Sequence, residues 1–152
     1  MLASVSFRGV QRLLDVGGGH GAFLRHIGSA WPHLELGLFD LPEVAEAGTA
    51  LLGAALGPQR VTAHPGNFFS DPIPCGYDMV SLIRILHDHD DAAAQALLAN
   101  IRASLAPGAR LLVAEPMARI PGLAPMGEAF FGLYLWAMGS GRPRSPAELA
   151  TM

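Results

Sequence analysis

Two short stretches of this chain carry residue types that could do chemistry. Leu86-His87-Asp88-His89-Asp90-Asp91 follows one apolar run, and Asp15-Val16-Gly17-Gly18-Gly19-His20-Gly21 closes another. An imidazole with an ordinary pKa of about 6.5 takes up a proton near neutral pH, so His87 is the candidate general base. The same two histidines and three aspartates also offer nitrogen and oxygen ligands to a metal ion. The aspartates have a simpler use as well, at the positive end of a following helix.

Consecutive glycines let a backbone approach a ligand, and a helix that starts beyond them presents unpaired N–H groups. That combination points to a nucleoside-type cofactor. Gly17, Gly19 and Ala22 fit the dinucleotide pattern G-x-G-x-x-A, with Asp40 near the distance expected of an acid on a ribose hydroxyl. Asp15 argues for a different ligand, because a carboxylate just ahead of the glycines repels a pyrophosphate and attracts an ammonium group. S-adenosylmethionine carries that ammonium and no phosphate. Asp40 can accept from both ribose hydroxyls in either case, and can also cap the helix that Pro42 opens.

The elements needed to hold these residues can be traced along the chain. Arg12-Leu13-Leu14-Asp15-Val16 reads as a strand, and residues 22 to 30 as a helix with Phe23, Leu24 and Ile27 on one face. A second strand runs from Leu34 to Phe39, interrupted by Gly37 and closed by Asp40, and residues 44 to 56 follow Pro42 as a helix. Arg60 to His64 is a third strand, Tyr77 to Leu82 a fourth, 92 to 105 a helix, and Arg110 to Ala114 a fifth strand ending at Glu115-Pro116. Such alternation predicts an α/β fold: a doubly wound, mostly parallel sheet with helices on both faces and ligands beyond the carboxyl ends of the strands. Residues 126 to 138 then read as a helix rich in Met, Phe, Tyr, Leu and Trp. Ser145-Pro146-Ala147-Glu148 has the form of a capping box that opens one more.

Composition narrows the class. The chain has 152 residues, 51% hydrophobic and 15% charged, with net charge -3, which suits one folded domain over residues 1–152. Within it, 1–10 lead in, 11–115 form the cofactor-binding core, and 116–152 supply an acceptor-side helix and a tail. All ten basic residues are arginines scattered singly, so nucleic acid is not the expected partner. The single Cys75 makes no internal disulfide, no run approaches the roughly 18 apolar residues of a membrane span, and a cytoplasmic location is expected. The helix announced at Ser145 begins about one turn before Met152, from which a C-terminally truncated fold is expected.

Taken together, Leu14 through Gly21, Phe39-Asp40-Leu41-Pro42-Glu43-Val44, Gly66-Asn67-Phe68-Phe69, Leu86-His87-Asp88 and Val113-Ala114-Glu115-Pro116 resemble the class I S-adenosylmethionine-dependent O-methyltransferases of the plant caffeate and bacterial type. Within that family the chain is most similar to the bacterial hydroxyneurosporene O-methyltransferases of carotenoid synthesis, and Gly139-Ser140-Gly141-Arg142-Pro143-Arg144 adds to the likeness. The resemblance implies a Rossmann-like fold that binds S-adenosylmethionine without a metal. Asp15, Gly17 and Gly19 would hold the methionine part, Asp40 the ribose, and Asn67 and Phe68 the adenine.

By the same resemblance His87 is the catalytic base and Glu115 the acid that orients it. The family usually has aspartate where Asn67 stands, and Pro143 occupies the place of a second glutamate found in plant members. The stripe of Met126, Phe130, Phe131, Tyr134 and Met138 would line an acceptor pocket, although by spacing alone such a stripe is more often a packed core. The implied acceptor is a small hydrophobic hydroxylated molecule, a hydroxylated carotenoid in the first instance, with a phenol or polyketide as the alternative. Family members carry an N-terminal dimerisation domain and two further strands, so homodimerisation through a domain outside these residues is expected. The chain by itself is expected to keep the cofactor residues with little or no turnover. A nicotinamide-dependent oxidoreductase and an inactive remnant serving as an interaction module remain alternatives.

Overall fold

Strands that are apolar on successive residues have no face to give to water, so both sides of a sheet built from them must be covered. The computed structural model describes the backbone of residues 5–120 and 125–152, and the side chains of 5–120 and 129–152. In it β1 (Arg12–Val16), α1 (Ala22–Ala30), β2 (Glu35–Asp40), α2 (Pro42–Leu56), β3 (Val61–Pro65), β4 (Met79–Ile83), α3 (Asp91–Ser104), β5 (Arg110–Ala114), α4 (Pro125–Met138) and α5 (Pro146–Thr151) follow in chain order. The five strands are all parallel in the order β3-β2-β1-β4-β5. This is the doubly wound α/β architecture that the alternation of runs predicts.

Strand alternation divides the core into two layers. Leu13, Leu36, Leu38 and Met79 pack with Leu24 and Ile27 of α1 and Ala45 and Leu52 of α2 on one face. Leu14, Val16, Phe39, Val80 and Leu82 pack with Ala94, Leu97 and Ile101 of α3 on the other. Full burial of each such leucine or isoleucine contributes about 1.5–3 kcal/mol before entropy is charged against it. The lead-in segment joins the first layer through Phe7 and Val10, with the Phe7 ring 5.9 Å from that of Trp31.

Small departures from the sequence reading have local causes. β4 starts at Met79 and not at Tyr77, because the Asp78 carboxylate accepts from the backbone N–H of Gln11 and Arg12 at 2.9 and 2.8 Å. Tyr77 lies across the sheet instead, its hydroxyl 2.6 Å from His64 Nε2 and packed where a side chain at position 37 would stand, which explains Gly37 inside a strand. Helix α2 takes Pro42 as its first residue, and Leu41, not Asp40, is its cap. The capping box forms as expected: Ser145 Oγ accepts from Glu148 N, and Glu148 Oε2 accepts from Ser145 N at 2.8 Å.

The chain winds from β1 to β2 to β3 in one direction and through β4 to β5 in the other. The strand order therefore reverses between β1 and β4, where the loops after the strand ends part and leave a crevice. Val16 pairs with Phe39, Asp40 with Pro65, and Ile83 with Ala114, so the ends of all five strands come to one edge. At the side of the sheet, β5 has β4 as its partner among the described residues, and Leu111 is exposed. No described helix is long and apolar enough to cross a membrane.

Candidate active site

The first strand leaves the sheet through glycines in conformations that other residues rarely adopt. Gly17, Gly19 and Gly21 have φ of 73°, 57° and 77°, in the left-handed region. Gly17 N donates to Phe39 O at 2.8 Å and Gly21 N to Gly18 O at 2.9 Å, which folds the turn back on the end of β2. Asp40 fixes it there: Oδ2 accepts from Gly19 N and Oδ1 from Leu41 N, both at 2.8 Å. A carboxylate has further lone pairs, so Asp40 can still accept from ligand hydroxyls.

Gly17, Asp40, Asn67 and Phe68 line one cavity of about 370 Å³, together with Leu41, Gly66, Phe69 and Ile85. Its volume is in the range of small-molecule sites. Further cavities among the described residues lie elsewhere. One is at the opposite edge of the sheet among Gly76, Asp78, Pro107 and Gly108, and another is along α3, β5 and α5. Of these three, the first sits at the reversal of strand order. Gly17 shapes its floor, since a Cβ there would strike Ile85 Cδ1. Asn67 Oδ1 accepts from Phe69 N at 2.9 Å, which leaves the side-chain amide as the group available to a ligand.

Asp15 occupies a different place from the cavity wall. Its carboxyl is 2% exposed, beneath the glycine turn, where Ser81 Oγ donates to Oδ1 at 2.6 Å. Burial raises its pKa from 3.8 to about 7, against the lowering effect of the Ser81 hydrogen bond, and the nearby Asp40 charge raises it further. Nothing in the sequence marked Ser81 for this task except its being a lone hydroxyl in an apolar strand. Gly48 of α2 is a second silent participant, because a Cβ there would meet the Gly19 carbonyl and Leu38. Gly48→Ala is therefore expected to destabilise the chain by about 1–3 kcal/mol in urea unfolding and to weaken ligand binding at the turn. Unchanged stability and affinity would show that the turn can move aside.

Beyond β4 the backbone turns sharply at Arg84, whose φ is 60°, and enters a 3₁₀ turn at Leu86–Asp88. His87 is 4% exposed, with Nδ1 2.5 Å from Glu115 Oε2. The other oxygen of Glu115 accepts from Ile85 N and Leu86 N at 2.8 Å each, so this one buried carboxylate holds both the ring and the turn that carries it. Glu115 is thereby not a solvated strand-end group. Nε2 faces Asp88 Oδ1 at 3.2 Å, so both ring nitrogens meet carboxylates; with Asp88 turned away, an Nδ1–H held by Glu115 leaves the lone pair on Nε2. Asp88 is half exposed and can turn away.

His89 does not join His87. Its ring lies 5.8 and 5.0 Å from those of Phe68 and Phe69, and burial lowers its pKa, so it packs as an aromatic between the two loops. Among the described residues no three histidine, cysteine, aspartate or glutamate side chains are placed to hold a metal ion. The aromatic stripe on α4 is not a packed core either. Phe130 is 70% and Trp136 79% exposed, whereas Leu135 is buried. The ring that meets His87 is Phe131, at 5.6 Å, with Tyr134 6.1 Å beyond it; the Met126 side chain lies outside the described residues. Phe130 points to a surface because neighbouring positions on a helix are about 100° apart.

Comparison with known proteins adds to this geometry. The family described as O-methyltransferase domain matches residues 1–152. Demethylspheroidene O-methyltransferase of Cereibacter sphaeroides is 46% identical over 99% of this chain and 40% of its own length, and that of Rhodobacter capsulatus is 41% identical over 99% and 37%. The chain thus spans about two fifths of the length of these relatives. Among solved structures, the O-methyltransferase NcsB1 from neocarzinostatin biosynthesis, in complex with S-adenosylmethionine and 2-hydroxy-5-methyl naphthoic acid, superposes with a TM-score of 0.85 at 28% identity, over 97% of this chain and 43% of that one.

Proposed function

The chain belongs to the O-methyltransferase domain family, and on that premise we propose that it binds S-adenosylmethionine at the glycine turn and takes part in methyl transfer to a hydroxyl group of a hydrophobic acceptor. The observation that carries the reading is the meeting of two arrangements at one sheet edge: a nucleoside-sized cavity anchored by Asp40, and a buried imidazole oriented by Glu115. The cavity suits this cofactor. Its carboxylate can take ribose hydroxyls, Leu41, Phe68 and Ile85 offer apolar walls to a base, and Asp15 beneath the turn favours a cationic amino-acid end over a pyrophosphate.

When bound, the cofactor supplies a sulfonium methyl open to attack by oxygen. The chain's own residues align the acceptor and manage its proton. His87 Nε2 accepts the hydroxyl proton once Asp88 has swung aside, and Glu115 keeps the opposite nitrogen protonated so that Nε2 stays the acceptor. The charge then gained by the ring is offset by the Glu115 carboxylate. A phenol, with pKa of about 10, can lose its proton ahead of attack. An aliphatic tertiary alcohol must lose it as the new bond forms, which asks more of the base.

The acceptor we propose first is a hydroxylated carotenoid, supported by the two demethylspheroidene O-methyltransferases and by the apolar residues beside His87. A phenolic or naphthol acceptor is the second reading, favoured by the Phe131 and Tyr134 rings, on which a flat aromatic can pack. Action in the cytoplasm as a homodimer belongs to the same proposal and rests on the family resemblance. Incubation with labelled S-adenosylmethionine and paired carotenoid and naphthol acceptors tests it. Label in the carotenoid ether supports the first reading and label in the naphthol ether the second; cofactor bound with label in neither restricts these residues to cofactor binding, and no cofactor bound overturns the reading.

A further inference from the structure

The His87 turn is gripped from two sides, and the second grip comes from a segment more than fifty residues along the chain. Arg144 is 2% exposed. Its Nη1 donates to Leu86 O at 2.6 Å, and Nη2 donates to His89 O at 2.7 Å. Those two carbonyls bracket His87. The guanidinium is anchored in turn by Asp91, the first residue of α3, whose Oδ1 accepts from Arg144 Nε at 2.9 Å and from Nη2 at 2.8 Å.

Arg142 steadies the anchor from outside, with Nη2 donating to Asp91 Oδ2 at 3.0 Å and Nη1 to Glu148 Oε1 at 2.9 Å. Ser140 Oγ donates to Asp88 O at 3.2 Å and Gly141 N to Asp90 Oδ1 at 3.0 Å. Gly141 has φ of 82°, and a Cβ on it would strike His87 O, so the two backbones are in direct contact.

A buried guanidinium is costly unless its donors are matched and its charge is balanced. Here the donors are spent on a three-residue turn and the charge on Asp91. Glu115 takes the N–H groups at the start of the turn, and Arg144 takes the carbonyls on either side of His87. We propose that Arg144, anchored on Asp91, is a positioning residue for the transfer reaction: it clamps the 86–89 backbone so that His87 keeps Nδ1 on Glu115 and presents Nε2 to the acceptor. The part that concerns transfer rests on the function proposed above, whereas the clamp itself can be read without turnover.

Lysine at position 144 keeps the charge but has no planar fork able to reach two carbonyls and a carboxylate together. Arg144→Lys is expected to lower kcat by about 100-fold, the scale of a misplaced reacting group, with the KM for acceptor and the affinity for S-adenosylhomocysteine changed little. Backbone amides of residues 86–91 should exchange hydrogen about tenfold faster, with those of β1 and β4 unaltered, since the opening is local. Arg144→Ala should recover slow exchange in added guanidinium ion, and Asp91→Asn should loosen the same amides to a lesser degree.

A folded Arg144→Lys protein with parental exchange at 86–91 overturns the clamp. Faster exchange throughout the chain also overturns it, because it makes Arg144 a general stabiliser. Faster exchange at 86–91 with unchanged kcat overturns the positioning role. Where the parent transfers no methyl group, local exchange at 86–91 still decides the clamp, and only the transfer part of the proposal falls with the function proposed above.

Discussion

Replacement of His87 by alanine is expected to reduce methyl transfer by about 100- to 10,000-fold, with S-adenosylhomocysteine bound as tightly as by the parent. The two readouts separate because His87 is not among the residues that line the cofactor cavity. Glu115→Gln sharpens the test. The amide oxygen can still accept from Ile85 N and Leu86 N, so the turn should persist. Its N–H groups, however, would face Nδ1 and donate to it, which places the ring proton on Nε2 and removes the acceptor lone pair. An oriented imidazole in the wrong tautomer loses on the order of 10,000-fold, so Glu115→Gln should fall close to His87→Ala, and the double variant should add little. Full activity in either single variant would remove that residue from the reaction.

The second large effect concerns Asp15, and its sign follows from burial. A carboxyl with an unfolded pKa of 3.8 and a folded pKa of about 7 binds its proton more tightly in the folded state. Its contribution to stability is fully present below about pH 4 and is lost as pH rises to about 7. On the alkaline side the loss is on the order of a few kcal/mol. Asp15→Asn keeps an acceptor for Ser81 and carries no charge. It should unfold at higher urea than the parent at pH 8 and match it near pH 4.

Ligand binding should move the opposite way. If the cationic end of the cofactor draws on the ionised carboxylate, parental affinity should rise by up to about tenfold per unit as pH increases toward 7, while the Asn variant stays flat and weak. The buried acid would then be a site where stability has been given up for binding. Equal urea midpoints of the two proteins at pH 8, or parallel affinity profiles, would contradict this account of Asp15.

The sequence made some of this arrangement legible and left some of it hidden, for reasons of distance. The glycine turn was readable because left-handed backbone at Gly17, Gly19 and Gly21 has few alternatives in sequence, and the strand ends at Asp40 and Glu115 followed from where apolar runs stop. His87 stood out by its side-chain chemistry. Ser81, Gly48 and Arg144 did not, since each acts on a residue far along the chain: Ser81 on Asp15 across a strand pair, Gly48 on Gly19 across a helix-to-turn packing, Arg144 on Leu86 and His89 through a returning loop. Local patterns carry no record of such partners. The α4 stripe was only partly legible for a related reason. Apolar residues without a clean period suit a core or an open face equally, and only the fold shows Phe131 turned toward His87 and Phe130 away.

The central claim is that the cavity between Gly17, Asp40 and Phe68 accepts a sulfonium nucleoside and not a dinucleotide. Calorimetric titration of the purified chain with S-adenosylhomocysteine and with NAD, beside Asp40→Ala, tests it most directly. The account predicts saturable one-to-one binding of S-adenosylhomocysteine, weakened by about tenfold or more in Asp40→Ala through loss of hydrogen bonds to a charged group, and no heat with NAD. Binding of NAD, or indifference of S-adenosylhomocysteine binding to Asp40, would contradict it.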